Sequence, residues 1–263
     1  MMVFLSLTAA LLPSFWLIRY LIRSDAFQEP PRLILTSFAL GIGIVLPVAF
    51  TAAKARLLLV LGGDPYAYAL GRAFLTAAFP EEAFKFLVVA GICTRWFEFN
   101  DPMDGVVYGI ATSLGFAAFE NVLFVLHGGI GVAVIRALTA MPAHAAFGAI
   151  MGYGVARAFL ASPPRLAPML WAFLGPVLLH GIYDSPMLII EAVGPANVGV
   201  GEIAMAAITV PSVVIGSLAW IYARLSALRA VQLARLAGSL PPPRLLVPIV
   251  ELAPARIERD ALE

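Results

Sequence analysis

One cysteine, Cys93, stands among 263 residues, and only 13% of the residues carry charge. A lone thiol excludes an internal disulfide and any thiolate-rich metal site. In the apolar run LVVAGICT it reads as a small buried side chain. The charges are also balanced, 17 basic against 16 acidic. The chain therefore lacks the basic excess of a nucleic-acid binder, and no nucleic-acid partner is expected. Missing too are a Gly-x-Ser-x-Gly serine motif, a His-Glu-x-x-His zinc motif and any internal repeat of the kind that builds many transporters. What the chain has instead is apolar length. Hydrophobic residues make up 61% of it and the mean hydropathy is +0.93. Soluble domains carry about a quarter charged residues, so this is an all-α, polytopic membrane protein.

Runs of roughly 20 apolar residues, enough to cross a bilayer, fall at about 2–22, 33–53, 78–97, 103–126, 131–160, 166–190 and 203–224. Seven spans are expected. An eighth is open in LLLVLGGDPYAYALGRAFLTAA, where Gly62-Gly63-Asp64-Pro65 and Arg72 favour a loop followed by an interfacial or elongated helix. The N-terminal run has no basic leader and reads as a retained first span. Arg19, Arg23, Arg32, Arg95, Arg157, Arg165, Arg224, Arg229 and Arg235 fall on one side of a seven-span arrangement, which places the C-terminus in the cytoplasm. Lys54, Arg56 and Arg136 disagree. Residues 1–235 form one transmembrane domain in the cell membrane, and the Pro-rich stretch 236–263 is expected to be a flexible cytoplasmic tail.

Ionisable groups inside such spans are costly, by at least a few kcal/mol each unless paired or wetted. Yet Glu81, Glu82, Lys85, Glu120, Asn121, His144, His180 and Asp184 all lie within them. Each has an ordinary explanation. Pro80-Glu81-Glu82 suits a helix start, with proline and acids in the first turn. Lys85 can pair with either glutamate at i+4 or i+3, but it neutralises only one. Gly105, Gly109, Thr112, Phe116 and Glu120 follow one another at three- and four-residue steps, a stripe of small residues that brings Glu120 into the bundle. His144 shares a stripe with Gly148 and Gly152. His180 and Asp184 sit one turn apart on one helical face, where they can pair, orient a base or bind a metal. His127 reads as a loop residue. With the spans alternating in direction, all six acids and histidines fall between the midplane and the outer interface. That agreement points to a single site among spans three to six.

Carboxylates and histidines in a wet cavity suit the activation of water, with a glutamate or histidine as base and a second histidine or Asn121 stabilising the oxyanion. The same side chains can hold zinc, with Glu82, His144, His180 and Asp184 as the ligand set. Spacing leaves zinc-assisted and metal-free hydrolysis equally open.

The series Glu81-Glu82-x-x-Lys85, Asp101-x-x-Asp104-Gly105-x-x-Tyr108-Gly109, Phe116-x-x-x-Glu120-Asn121, Pro142-x-His144 and His180-Gly181-x-Tyr183-Asp184 resembles the PrsW family of intramembrane proteases. That family groups with the CAAX-prenyl endopeptidases and bacterial CPBP proteins, and the resemblance covers about residues 75–190. It implies cleavage of a single-span membrane protein within the lipid bilayer. An anti-sigma-factor-like substrate, cut on its extracytoplasmic side, is expected. It further implies a catalytic set of Glu81, Glu82, Glu120, His144, His180 and Asp184, supported by Lys85, Asn121 and Phe116. A non-catalytic membrane scaffold and a proton-coupled transporter are the rival readings.

Overall fold

The computed structural model describes residues 2–59 and 63–240, so most of the expected tail lies outside the described residues. The described chain is built from helices α1 (Met2–Ser24), α2 (Pro31–Gly43), α3 (Val45–Leu59), α4 (Pro65–Gly71), α5 (Phe79–Gly91), α6 (Pro102–Leu138), α7 (Ala140–Phe159), α8 (Leu166–Val193) and α9 (Val200–Leu236). A π-helical segment, Arg72–Ala78, joins α4 to α5, and a short 3-10 turn covers Cys93–Arg95.

Among the described residues, four stretches are long and apolar enough to cross a membrane: Pro31–Leu57, Pro102–Phe159, Leu166–Val193 and Val200–Leu236. The outer surface is correspondingly apolar, with Trp16, Leu46 and Ile215 among the large side chains left exposed. A surface of that kind belongs against lipid, and the protein is a membrane protein. The finer expectation of seven or eight spans is not established by these helices. Two of the expected spans also have different bounds. The helix that carries Glu81 begins at Pro65, where the Asp64 carboxylate caps the backbone N–H groups of Tyr66 and Ala67, and it runs without a break to Gly91. The expected elongated helix is therefore present, and Glu81 and Glu82 lie well inside it rather than at a helix start. The expected span 131–160 is divided at Thr139, whose backbone leaves the helical region.

The stretch from Pro102 to Phe159 folds back on itself. Gly105 packs on Gly152 and Gly109 on Gly148, an antiparallel arrangement of α6 and α7 in which a Cβ on any of the four would run into the opposite carbonyl. Small residues permit this approach, and close packing and interhelical contact drive association where lipid is the solvent. The chain reverses through Gly129, whose φ of 68° lies in the left-handed region that glycine tolerates. Gly41 and Gly115 bring α2 onto the neighbouring side of α6 in the same way, against Thr112 and Phe38. Thr112 therefore faces α2, while Gly105 and Gly109 face α7, so the expected single stripe is split between two neighbours. Helix α6 is enclosed from Met103 to Ala118, and the turns that close this enclosed stretch deliver Phe116 and Glu120 beside α5, α7 and α8.

Candidate active site

The helix that carries Glu81 and Glu82 must pass Pro80, which lacks an N–H and crowds the carbonyl one turn earlier. The π-helical segment Arg72–Ala78 lies immediately before it. Its wider turn accommodates the lost α-helical bond, a device common at functional sites. The same segment presents Phe74 to α8, where the ring occupies the space a side chain on Gly181 would need. Gly181 thus lets α8 come close enough for its neighbour His180 to reach α5.

Lys85 is wholly buried. Its Nζ donates to Glu82 Oε1 at 2.8 Å and to Glu81 Oε2 at 3.4 Å, and faces His144 Nδ1 at 3.1 Å. The Phe116 ring centroid is 4.4 Å from it, a cation–π contact that explains the supporting position of that phenylalanine. Glu82 Oε1 also meets His180 Nδ1 at 2.9 Å, while its Oε2 is buried without a hydrogen-bond partner. His180 Nε2 faces Asp184 Oδ2 at 3.3 Å and Glu81 Oε2 at 3.9 Å. Both ring nitrogens of His180 therefore face carboxylate oxygens, and each needs a proton to bond there. Phe147 stacks on this imidazole at 5.5 Å, and the His144 ring meets it edge-on at 5.1 Å.

His144 Nε2 lies 3.3 Å from Glu120 Oε2. That carboxylate also receives Arg136 Nη2 at 2.6 Å, and Arg136 Nε donates to Asn121 Oδ1 at 2.8 Å. The structure thus brings together all six expected acids and histidines, together with Lys85, Phe116 and Asn121. Arg136 was not expected. The signal was a basic residue inside an expected span, just after Gly128-Gly129. His127 is helical rather than in a loop, yet it stays outside the site, with its Nδ1 bonded to the Leu123 carbonyl.

The donor atoms of Glu81, Glu82, His144 and His180 all lie within 4.8 Å of one another. This close set includes Glu81, where the sequence suggested Asp184. Asp184 instead sits against His180. Two histidines and two carboxylates suit zinc, and the free Glu82 Oε2 is the kind of buried acceptor a cation would satisfy.

The remaining acids of the motif series lie elsewhere. Asp104 caps the start of α6 through the N–H groups of Asn100 and Asp101, about 24 Å along the helix from Glu120 at 1.5 Å per residue. There Tyr108 donates to Glu29, Arg235 pairs with Asp101, and Gln232 donates to Asp25. This second cluster ties α9 and the α1–α2 connection to α6.

The family described as "PrsW family intramembrane metalloprotease" matches residues 29–215. The chain is 36% identical to "Protease PrsW" of Oceanobacillus iheyensis over 178 residues, 68% of this chain and 80% of the relative. It is 35% identical to the "Protease PrsW" of Geobacillus kaustophilus over 190 residues, 72% and 82% of the two chains. For the "Protease PrsW" of Bacillus subtilis the identity is 33% over 183 residues, 69% and 82%. No solved structure matches the chain.

Proposed function

Because the chain belongs to the PrsW family of intramembrane proteases, and is a protease, we propose that it hydrolyses a peptide bond of a single-span protein in the cell membrane, with Glu81 as the general base. The scaffold and transporter readings lose their footing with the family. The observation that carries the assignment is the unequal placement of the two glutamates. Glu82 is sealed, with no side-chain exposure, and one oxygen binds both Lys85 and His180. Glu81 keeps 9% of its side chain accessible and holds its neighbours at the longer distances of 3.4 and 3.9 Å.

Water seated on Glu81 gives up a proton to its carboxylate and attacks the scissile carbonyl, and Glu81 then passes that proton to the amine nitrogen as the C–N bond breaks. His180 Nε2–H, oriented by Glu82 on the opposite nitrogen, donates to the oxygen that becomes negative. Preorganised donors of this kind contribute most where water is excluded. Glu82, on Nδ1, is the carboxylate partner that orients the imidazole, and Asp184 Oδ2 faces the Nε2–H at 3.3 Å, the contact the substrate oxygen takes over. Lys85 and Glu82 fix the geometry rather than touch the substrate. The metal implied by the family's description would be held by Glu81, Glu82, His144 and His180 in place of the protons these side chains share here, and Glu81 would then serve as a ligand rather than as the base. When bound, the metal supplies Lewis-acid polarisation and an acidified water.

The substrate class, an anti-sigma-factor-like protein cut near its extracytoplasmic end, rests on the resemblance to the family. Purified protein and a single-span test substrate examine the reading. Cleavage by wild type that is lost in Glu81→Gln and His180→Ala supports it, and cleavage retained in both variants refutes it.

A further inference from the structure

We propose that Arg136 is a positioning residue of this site, acting on His144 through Glu120. The proposal rests on the protease reading above. Arg136, in the part of α6 beyond the Gly129 reversal, folds back onto the earlier part of the same helix and is held there by three residues. Its Nη2 and Nε bind Glu120 and Asn121 as a fork, and its Cζ lies 4.0 Å from the Phe124 ring centroid. The carboxylate oxygen that takes the guanidinium, Glu120 Oε2, is the same one that faces His144 Nε2. One atom thus joins the arginine to the imidazole.

The other nitrogen of His144 fixes the proton. Lys85 carries an ammonium, which only donates, so His144 Nδ1 accepts and its hydrogen sits on Nε2, pointing at Glu120. Which ring nitrogen carries the proton is set by the partner of the other. Glu120 and Arg136 are the least enclosed members of this chain of contacts, with 23% and 16% of their side chains exposed. Water therefore competes for the Glu120 carboxylate wherever the guanidinium does not hold it. Without that hold the carboxylate can swing to water, and the ring loses the acceptor that keeps it in one tautomer and one orientation against His180. Lysine offers a cation but not the fork, so it replaces part of the function.

The test combines kinetics with a readout that needs no turnover. Arg136→Ala is expected to lower kcat about 10–100-fold, the usual effect of losing a partner that orients an active-site group, with KM within about twofold of wild type. Arg136→Lys falls between, and millimolar guanidinium restores part of the Arg136→Ala activity. Glu120→Gln combined with Arg136→Ala is no slower than Glu120→Gln alone, because the two act through one atom. In ¹⁵N-histidine NMR, wild-type His144 shows the single Nε2–H tautomer and Arg136→Ala shows a mixture. Wild-type turnover in Arg136→Ala, or a loss that guanidinium does not relieve while His144 keeps one tautomer, overturns the proposal. A wild type that cleaves nothing while the tautomer still depends on Arg136 refutes the protease reading and leaves the positioning role standing.

Discussion

Glu82 and His180, 98 positions apart in the chain, meet at 2.9 Å through Oε1 and Nδ1. Lys85 shares that oxygen at 2.8 Å, so one carboxylate links α5 to α8 and neutralises a buried ammonium.

Removing that charge should cost stability as well as activity. Glu82→Gln leaves the fully buried Lys85 only the longer 3.4 Å contact with the Glu81 carboxylate, and breaking one side of a buried ion pair costs about 3–5 kcal/mol. Thermal unfolding in detergent is expected to show a clear fall in midpoint for Glu82→Gln and little change for Glu81→Gln. Equal midpoints for the two variants would remove the distinction between them.

The α6–α7 contact leaves no room for a side chain. At Gly152 a Cβ meets the Gly105 carbonyl, whereas at Gly216 on α9 nothing lies within 4 Å. Gly152→Leu is expected to destabilise by about 3 kcal/mol or more, at or beyond the top of the usual range for overpacking. Gly216→Ala should be neutral or stabilising by up to about 1 kcal/mol, from lost chain entropy in the unfolded state. Unfolding midpoints of the two variants check this.

Gly181 and Phe74 offer a paired test. Gly181→Ala pushes against the Phe74 ring and should shift α8, lowering cleavage about tenfold or more, since small displacements of catalytic groups are expensive. Phe74→Leu in the same chain relieves the collision and should recover part of the rate. An additive loss in the double variant would show that the two do not act through that contact.

Stability should also respond to pH at the opposite end of the molecule. Asp25 and Glu29 lie in the connection between α1 and α2, where burial pushes both carboxyl groups above the usual carboxylate range. Hydrogen bonds from the Phe27 N–H and Gln232 to Asp25, and from Tyr108 to Glu29, oppose that rise. The folded state therefore holds protons that the unfolded state has released. This contribution is complete below the ordinary value of about 4 and is lost as pH rises through the raised folded values. Midpoints measured upward from pH ~4 should decline less steeply in Asp25→Asn than in wild type. Parallel curves would contradict this.

How much of this was legible in the sequence varied from residue to residue. The motif residues were legible because charge in an apolar helix is conspicuous, and Glu81, Glu82, Lys85, His144 and His180 do converge. Helix bounds were less so. Pro80 before two acids has the signature of a helix start, and only the π-helical segment, a tertiary accommodation with no composition of its own, carries the helix through it. Hydropathy reads 131–160 as one run because a single Thr139 barely lowers the average of so apolar a window, yet the helix breaks there. Arg136 looked like a topology signal, since its partner Glu120 lies on the other side of a reversal that glycine alone does not announce. The unequal burial of Glu81 and Glu82 is also invisible to spacing, because both reach Lys85 at helical intervals.

The assignment of Glu81 is tested most directly by comparing wild type with Glu81→Gln, reconstituted in liposomes with a single-span test substrate, while unfolding midpoints confirm that both are folded. Cleavage by wild type and a drop of about 100-fold or more in a stably folded Glu81→Gln, as expected for loss of a general base, is the anticipated result. Cleavage by Glu81→Gln at the wild-type rate would contradict it.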